Sequence, residues 1–259
     1  MAQSNDKWNP GQYERFRNER SQPFFDLMAL VEPRPAMRVM DLGCGTGELT
    51  RVLHQTLKAS DTLGLDSSAA MLAKSESFAG DGLRFERRDI REFESSGEYD
   101  LIFSNAALHW LPDHESLLEG LTCALKPGGQ LAVQVPANDD HPTHVVAARL
   151  ARQSPFNEAM QGYERHWSVL KPESYAALLH RLGYARQHVR LQVYGHLLDA
   201  RDGVIEWVKG TLLTDYEKRM PAELFAQFMA DYRERLFEQL EDARPYFYPF
   251  KRILFWAQR

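Results

Sequence analysis

The 259-residue sequence contains only two cysteines, Cys44 and Cys123. Two thiols cannot build a disulfide framework or a thiolate metal cage, so we expect both to be buried as small apolar side chains. No apolar run approaches the roughly 20 residues that a membrane-spanning helix requires. The polar N-terminal segment MAQSNDKWNP lacks the apolar stretch of a signal peptide. These absences predict a protein that stays in the cytoplasm and away from membranes.

Basic residues are too few and too evenly spread to indicate binding to nucleic acid. The chain has 31 Lys and Arg against 36 Asp and Glu, a formal net charge of −5, whereas a nucleic-acid-binding domain concentrates positive charge on one face. The histidines show neither HxxxH nor HExxH spacing, so we expect no metal site. The sequence predicts a small-molecule partner, and a chain that is a monomer or a weak homo-oligomer.

Short buried-strand patterns alternate with helical patterns over the first 136 residues. Strand patterns occur at 38–42, 62–66, 83–87, 99–104 and 130–135, and helical patterns occur before 57, from Ser67 or Ser68 to 74, and at 117–125. Strands that alternate with helices form right-handed βαβ units, which place parallel strands side by side. We therefore predict an α/β fold with a mostly parallel sheet and helices on both of its faces.

The second half of the chain interrupts this alternation. Residues 137–170 are polar and rich in histidine, proline and aromatic residues, which is typical of an insertion or a lid. Later patterns predict a helix at 172–182, a strand at 189–197, helices at 202–213 and 221–240, and a strand in the closing segment PYFYPFKRILFWAQR. Because no segment has the composition of an interdomain linker, we expect a single domain over residues 1–259. Within it, 1–32 would form a helical cover, and 137–170 and 199–244 would form cap or insertion segments.

Residues 12–31 place apolar side chains at helical spacing, but Pro23 lies among them. Proline in a helix interior removes an N–H donor and clashes with the carbonyl four residues before it. The pattern therefore predicts two short helices, or one helix that breaks at Pro23.

A glycine-rich turn follows the first predicted strand, in the segment VMDLGCGTG at 39–47. Asp41 ends the strand, and Gly43, Gly45 and Gly47 alternate after it. Since glycine has no Cβ, ligand atoms can approach the backbone of such a turn, and the helix that follows presents free N–H groups. Turns of this kind are typical of several classes of nucleotide-binding protein.

Further polar residues follow the next three strands. Asp66 ends the second strand, where a carboxylate can accept both hydroxyls of a ribose. Asp89 ends the third strand, where it can accept an adenine amino group while Ile90 packs on the ring. Asn105 follows in the segment FSNAALHW, at the end of the fourth strand. These ends meet at the carboxyl edge of the sheet, which is where open α/β sheets bind ligands.

Each feature has a simpler interpretation when it is taken alone. The glycines can form an ordinary tight turn, Asp66 can cap its own helix, and Asp89 can be an exposed carboxylate. A dinucleotide-dependent oxidoreductase is the main alternative, because it also places an acid about 20 residues beyond its glycines. That class requires GxGxxG spacing, but Glu48 stands at the last position, and an Asp precedes the turn. The combination therefore argues against the oxidoreductase.

The combination resembles the class I S-adenosylmethionine-dependent methyltransferases, whose glycine turn reads DxGxGxG. Their ribose and adenine acids end strands two and three, and a Pro-Gly-Gly turn leads into strand five, as at 127–129 here. The resemblance implies a Rossmann-like fold with a mostly parallel seven-stranded sheet and helical insertions that cap the site. The residues it implies for binding S-adenosylmethionine and its product S-adenosylhomocysteine are Asp41, Gly43, Cys44, Gly45, Gly47, Asp66, Ser67, Asp89, Ile90 and Asn105.

Over nearly the whole chain, the sequence also resembles the trans-aconitate 2-methyltransferases. The segments that carry this resemblance include WNP at 8–10, LDSS at 65–68, WLPDH at 110–114, VQVP at 133–136, EWV at 206–208 and FKRILF at 250–255. Such enzymes methylate a carboxylate of a small polycarboxylic acid and release S-adenosylhomocysteine. The sequence departs from the family pattern at His109, where Gln is expected, and at 137–140.

The reaction implied by this resemblance requires little chemical assistance. A sulfonium methyl is electrophilic and a carboxylate is ionised at neutral pH, so we predict no proton-transferring catalytic residue and no metal. Catalysis then consists of aligning oxygen, methyl carbon and sulfur in a pocket that excludes water. A polyanionic acceptor needs cationic and hydrogen-bonding partners, and the candidate substrate-binding residues are Tyr13, Arg20, His109 and Trp110.

Alternatives stay open at the level of residues and of function. Arg20 can pair with the acceptor, with the carboxylate of the cofactor, or in an ordinary surface salt bridge, and Tyr13 can serve helix packing. The methyl group can instead go to a malonyl group on a carrier protein, or to another small-molecule oxygen or nitrogen. A non-catalytic cofactor-binding protein is the alternative from another class.

Overall fold

The computed structural model describes the backbone of residues 17–259 and the side chains of residues 21–259. Tyr13 and the side chain of Arg20 lie outside these residues, so the hypotheses on both stay predictions. Within the described residues, no helix has both the length and the apolar character that crossing a bilayer requires.

Seven strands form one sheet in the described part of the chain. They are β1 (Arg38–Leu42), β2 (Asp61–Asp66), β3 (Leu83–Arg87), β4 (Tyr99–Asn105), β5 (Leu125–Pro136), β6 (Arg186–Leu198) and β7 (Tyr246–Gln258). The strand order is β3-β2-β1-β4-β5-β7-β6. Strands β1 to β5 pair in parallel, and β7 runs antiparallel to β5. The predicted mostly parallel seven-stranded sheet is confirmed.

Among the described residues, one helix precedes β1, and the others lie in the connections between strands. The helices are α1 (Arg17–Met28), α2 (Glu48–Leu57), α3 (Ala69–Ser75), α4 (His114–Ala124), α5 (Pro142–Ala151), α6 (Phe156–Ala159), α7 (Pro172–Arg181), α8 (Asp202–Val208), α9 (Thr214–Glu217) and α10 (Ala222–Phe237). A π-helical turn joins α8 to α9. The Ser68 hydroxyl caps α3 by accepting from Met71 N, as its position before an apolar helical pattern predicts.

Helices cover both faces of the sheet. On one face, apolar residues of the central strands pack with Leu118 of α4 and Tyr175 of α7 in one buried cluster. On the other face, the Phe24 ring of α1 contacts Phe103 of β4 at 5.1 Å between centroids. Because both faces are covered, the central strands consist of nearly unbroken apolar runs.

Helix α1 runs through Pro23 without a break, so the predicted interruption is wrong. Proline in a helix interior costs about 3 kcal/mol relative to alanine. Pro23, Phe24 and Leu27 are all buried on the side of α1 that faces the sheet. Burying one large apolar side chain contributes about 1.5–3 kcal/mol, so packing offsets the cost of the proline.

The two cysteines differ in burial. Cys44 is buried as expected, but Cys123 is exposed on α4, so the expectation for Cys123 is wrong. The buried side of α4 is formed by Leu118, Leu121 and Thr122. Position 123 is out of phase with this stripe, and its side chain therefore faces solvent.

The Pro-Gly-Gly turn lies inside the bounds of β5 instead of before the strand. Leu125 follows α4 directly and pairs with Tyr99, whereas the next pair is Gln130 with Leu101. The residues between Leu125 and Gln130 therefore bulge from the ladder. Pro127 has no N–H to donate, and Gly128 takes the left-handed conformation at φ +73° that the bulge requires.

The chain divides into two compact units, each with its own core. The sheet unit comprises Arg20–Ala137, Ser168–Gln192 and Lys251–Arg259, and the helical unit includes Asn138–Trp167 and Val193–Phe250. Trp207, Phe228 and Tyr232 belong to the apolar cluster of the helical unit. The segments expected as insertions fall largely in the helical unit. That the whole chain acts as a single domain stays a prediction.

Candidate active site

The turn after β1 is left-handed at its three alternate glycines, with φ +78° at Gly43, +58° at Gly45 and +78° at Gly47. A Cβ on Gly43 would lie 2.2 Å from Cβ of Ala107, and one on Gly47 would lie 2.6 Å from Cβ of Ser75. The nearest atom to a Cβ on Gly45 is 3.6 Å away. Packing therefore requires two of the glycines, while Gly45 leaves room for a ligand to approach the backbone.

Asp66 is held against this turn by two backbone hydrogen bonds. Gly45 N donates to Asp66 Oδ2 over 2.9 Å, and Ser68 N donates to Oδ1 over 2.8 Å. Cys44 N also donates to the carbonyl of Leu65, over 3.0 Å. The turn is thus bonded to the end of β2. A carboxylate accepts hydrogen bonds and donates none, so Asp66 is fixed at this point as an acceptor of the kind that ribose hydroxyls need.

Asp41 is the most deeply buried acid of the turn, at 4% exposure. Burial raises the pKa of Asp41 to about 7; the hydrogen bond from Thr50 opposes this rise, and the negative charge of Asp66 adds to it. The Thr50 hydroxyl donates to Asp41 Oδ2 over 2.6 Å. A positive ligand group nearby would lower this pKa, so the site favours a cation. The sequence reasoning missed Thr50, whose only signal is its place in the first turn of α2.

Cys44 contributes packing to the turn and no nucleophile. Burial raises the pKa of its thiol, and the charges of Asp41 and Asp66 raise it further. The thiol therefore stays protonated at neutral pH, and a protonated thiol is a poor nucleophile.

Asp89 lies two residues beyond the end of β3, not at the strand end as predicted. It caps a short helix, Ile90–Glu92, by accepting from Arg91 N over 2.9 Å. Its Oδ2 also accepts from Arg91 Nη2 over 2.6 Å. The Arg91 side chain is 69% exposed, and such a surface ion pair is weak. A ligand donor can therefore share the carboxylate with Arg91.

Ile90 borders a pocket of about 340 Å³ beside α4. Phe93, Leu111 and Leu117 also line this pocket. A flat apolar ring packed on Ile90 would thus have further apolar side chains close by.

Asn105, His109 and Trp110 follow each other at the end of β4. Asn105 is the last residue of the strand, and His109 and Trp110 lie in the short helix Leu108–Trp110. The two rings are 4.6 Å apart between centroids. Oδ1 of Asn105 is buried and accepts no hydrogen bond from residues 21–259. All cofactor candidates therefore lie in the sheet unit, on the turn or at and just beyond the carboxyl ends of β1 to β4, and their individual roles stay predictions.

Similarity to known proteins agrees with this arrangement. A family model described as a methyltransferase domain matches residues 13–189. The YcgJ protein of Bacillus subtilis shares the fold with a TM-score of 0.60 at 16% identity, over 92% of this chain and 97% of that one. An S-adenosylmethionine-dependent methyltransferase from Mesorhizobium loti matches with a TM-score of 0.52 at 26% identity, over 91% and 96% of the two chains. The fold and the site define a class I methyltransferase.

The trans-aconitate 2-methyltransferase of Deinococcus radiodurans is 46% identical over 258 residues, which cover 97% of this chain and 98% of that protein. The chain belongs to the trans-aconitate 2-methyltransferase family. The predicted family and the predicted enzyme class, an S-adenosylmethionine-dependent methyltransferase, are confirmed.

Proposed function

We propose that the chain transfers the methyl group of S-adenosylmethionine to a carboxylate of trans-aconitate, which yields the monomethyl ester and S-adenosylhomocysteine. The observation that carries this proposal is the junction of the glycine turn with Asp66, where Gly45 N lies 2.9 Å from Asp66 Oδ2. An acid fixed beside a backbone without a Cβ can hold a ribose close to the chain. The similarity to trans-aconitate 2-methyltransferases supports the choice of acceptor.

The residues of the site fit the cofactor in shape and in charge. The open side of Gly45 is a cradle that a larger residue would narrow. Asp41 and Asp66 are two acids that act on each other electrostatically in a partly buried place. A cofactor with a sulfonium and an amino group would balance this negative charge.

S-adenosylmethionine supplies an electrophilic methyl group when it is bound. The acceptor carboxylate is ionised at neutral pH, so no side chain has to remove a proton. Asp66 holds the ribose, and the turn orients the methionine part. The buried Cys44 thiol stays protonated and does not compete for the methyl group. Orientation and exclusion of water are thus the main tasks of the protein.

The wider setting of this activity is also a proposal. The chain acts in the cytoplasm on a free small acid, as a monomer or a weak homo-oligomer, without nucleic acid or membrane as partner. The mixed charges and the net charge of −5 support this, because a carrier-protein substrate needs a basic docking face. Light scattering of the purified chain measures its oligomeric state. The same measurement with an acyl carrier protein added shows whether the chain binds a carrier protein.

The experiment for the proposed function is incubation with methyl-labelled S-adenosylmethionine and a panel of acids, followed by mass analysis of the products. The panel contains trans-aconitate, cis-aconitate, malonate and a fatty acid. We expect a monomethyl ester of trans-aconitate as the preferred product. Labelling of a different acceptor without formation of the trans-aconitate ester would overturn the proposal.

A further inference from the structure

A line of polar side chains crosses the sheet near the carboxyl ends of β4 and β5. Asn105 of β4 pairs with Gln134 of β5, and Pro136 of β5 pairs with Arg252 of β7. Paired residues of neighbouring strands share a face, and so do residues two apart along one strand. Asn105, Gln134 and Arg252 therefore lie on the same face, on three adjacent strands of the sheet unit.

Two members of this line are buried, although one of them carries a charge. Gln134 is fully buried and Arg252 is 5% exposed. Arg252 Nη1 donates to Gln134 Oε1 over 3.3 Å. Because a guanidinium only donates hydrogen bonds, this contact assigns the oxygen end of the Gln134 amide and leaves Nε2 as a donor.

The Gln134 donor has no acceptor within the part of the chain that the structure describes. Its Nε2 atom is buried and makes no hydrogen bond to residues 21–259. A buried donor without an acceptor lowers stability, and in native proteins it calls for an explanation such as a functional role. Beside it, Arg252 contributes positive charge. A buried cation next to an unsatisfied N–H donor matches an anionic acceptor of hydrogen bonds, such as a carboxylate.

We propose that Arg252 and Gln134 bind a carboxylate of the acceptor that does not react, and thereby select polycarboxylic acids. This inference rests on the proposed function. Asn105, which we expect to border the cofactor, lies on the strand next to Gln134, and neighbouring strands are about 4.8 Å apart. A small acid anchored at Gln134 and Arg252 can therefore present a second carboxylate beside Asn105.

Equilibrium binding tests the pair without the need for turnover. Trans-aconitate is titrated by calorimetry into protein saturated with S-adenosylhomocysteine. We expect Arg252→Met and Gln134→Met to weaken binding about 10- to 100-fold, because each removes a hydrogen bond to a charged group. Arg252→Lys keeps the positive charge, so its affinity for trans-aconitate should fall less than that of Arg252→Met. Unchanged affinity in both Met variants, or no binding by the wild-type protein, would overturn the inference.

A matched control separates binding from structure. Gln130 lies on the same face of β5, four residues before Gln134, and bonds to Trp256 Nε1 over 2.7 Å and to the Glu32 backbone. Gln130→Met should lower the melting temperature and leave the affinity for trans-aconitate unchanged. Each variant is also titrated with S-adenosylhomocysteine to show an intact cofactor site. If Arg252→Met does not fold, Arg252→Lys and Gln134→Met decide the question.

Acceptor analogues identify the contact on the substrate side. Mesaconate, glutaconate and itaconate each lack a different one of the three carboxylates of trans-aconitate. The binding penalty of Arg252→Met should vanish for the analogue that lacks the anchored carboxylate and persist for the other two. An equal penalty for trans-aconitate and all three analogues would indicate a structural role and contradict the inference. If the wild-type protein binds trans-aconitate at this pair but does not methylate it, the proposed function fails and the inference stands.

Discussion

The Thr50 hydroxyl donates a 2.6 Å hydrogen bond to Asp41 Oδ2, with both side chains buried. Thr50 belongs to α2 and Asp41 to β1, so this bond fastens the helix to the strand across the glycine turn. The hydrogen bond also favours the ionised form of Asp41, whereas burial favours its protonated form. The negative charge available to a cationic cofactor therefore depends on a neutral hydroxyl.

Thr50→Val removes this hydroxyl and keeps the shape of the side chain. We expect the pKa of Asp41 to rise further above about 7, so that less carboxylate is present at neutral pH and S-adenosylmethionine binds more weakly. The free energy of unfolding should fall by about 1–3 kcal/mol, because a buried acceptor loses its donor. Calorimetry and thermal melting measure the two effects. Thr50→Ser restores the hydroxyl and should behave like wild type; equal losses in both variants would refute the role of the bond.

The pH dependence of stability should report Asp41 directly. Burial raises its pKa from 3.8 to about 7. Below the lower value the carboxyl is protonated in both the folded and the unfolded chain. Between the two pKa values, the unfolded chain releases the proton and the folded chain retains it, so the free energy of unfolding falls as pH rises. The total decrease is on the order of 4 kcal/mol once the pH exceeds the upper value.

Asp41→Asn removes this titration. Urea unfolding of both proteins from about pH 5 to about pH 8 should show the variant gaining stability relative to wild type as pH rises, and then levelling off. Parallel stability curves would mean that Asp41 does not carry the raised pKa.

Asp66→Ala tests the ribose acid. The variant loses the acceptor for two ribose hydroxyls, so affinity for S-adenosylhomocysteine should fall about 100-fold or more. Asp61→Ala is the matched control, because Asp61 begins the same strand and pairs with Arg38 and Arg84. Calorimetry should find wild-type affinity in the control. Equal affinity in the two variants would exclude Asp66 from the cofactor site.

Gly43→Ala tests the close packing of the turn. Its new Cβ would lie 2.2 Å from Cβ of Ala107, and overpacking of this kind costs about 1–3 kcal/mol beyond the strain of the left-handed backbone. Gly97→Ala has a similar φ of +62° with open space around it, so it isolates the backbone strain. Thermal melting should rank Gly43→Ala as the less stable variant. The double variant Gly43→Ala with Ala107→Gly should regain the stability that Gly43→Ala loses through overpacking. No gain in melting temperature would argue against the clash between the two Cβ atoms.

Chelation tests the metal-free reaction. Residues 21–259 contain no group of three His, Cys, Asp or Glu side chains placed to hold a metal ion. The acceptor is ionised without a metal, so the turnover rate should be the same before and after dialysis against a strong chelator. Activity that is lost with the chelator and regained with a divalent cation would contradict the proposed mechanism.

The local parts of the site were predictable from sequence because each depends on neighbours in the chain. The strand pattern before Asp41, the glycine spacing and the cap at Ser68 are all short-range signals, and the structure has them where expected. Pro23 misled the prediction, since the burial of Phe24 and Leu27 that compensates for it depends on tertiary packing.

Contacts between distant segments could not be predicted in this way. Gln134 and Arg252 are 118 residues apart, and they meet because β7 inserts between β5 and β6. Sequence periodicity does not give the strand order. The sequence alone therefore could not predict that Gln134 and Arg252 are in contact. The ion pair of Asp89 with Arg91 is local, but it depends on the chain leaving β3 two residues before the acid.

Calorimetric titration of the folded protein with S-adenosylhomocysteine tests the cofactor site most directly. Binding at one site is expected for wild type and for Asp61→Ala, with a severe loss in Asp66→Ala. Well-folded wild-type protein that gives no heat with S-adenosylhomocysteine or with S-adenosylmethionine would contradict the account.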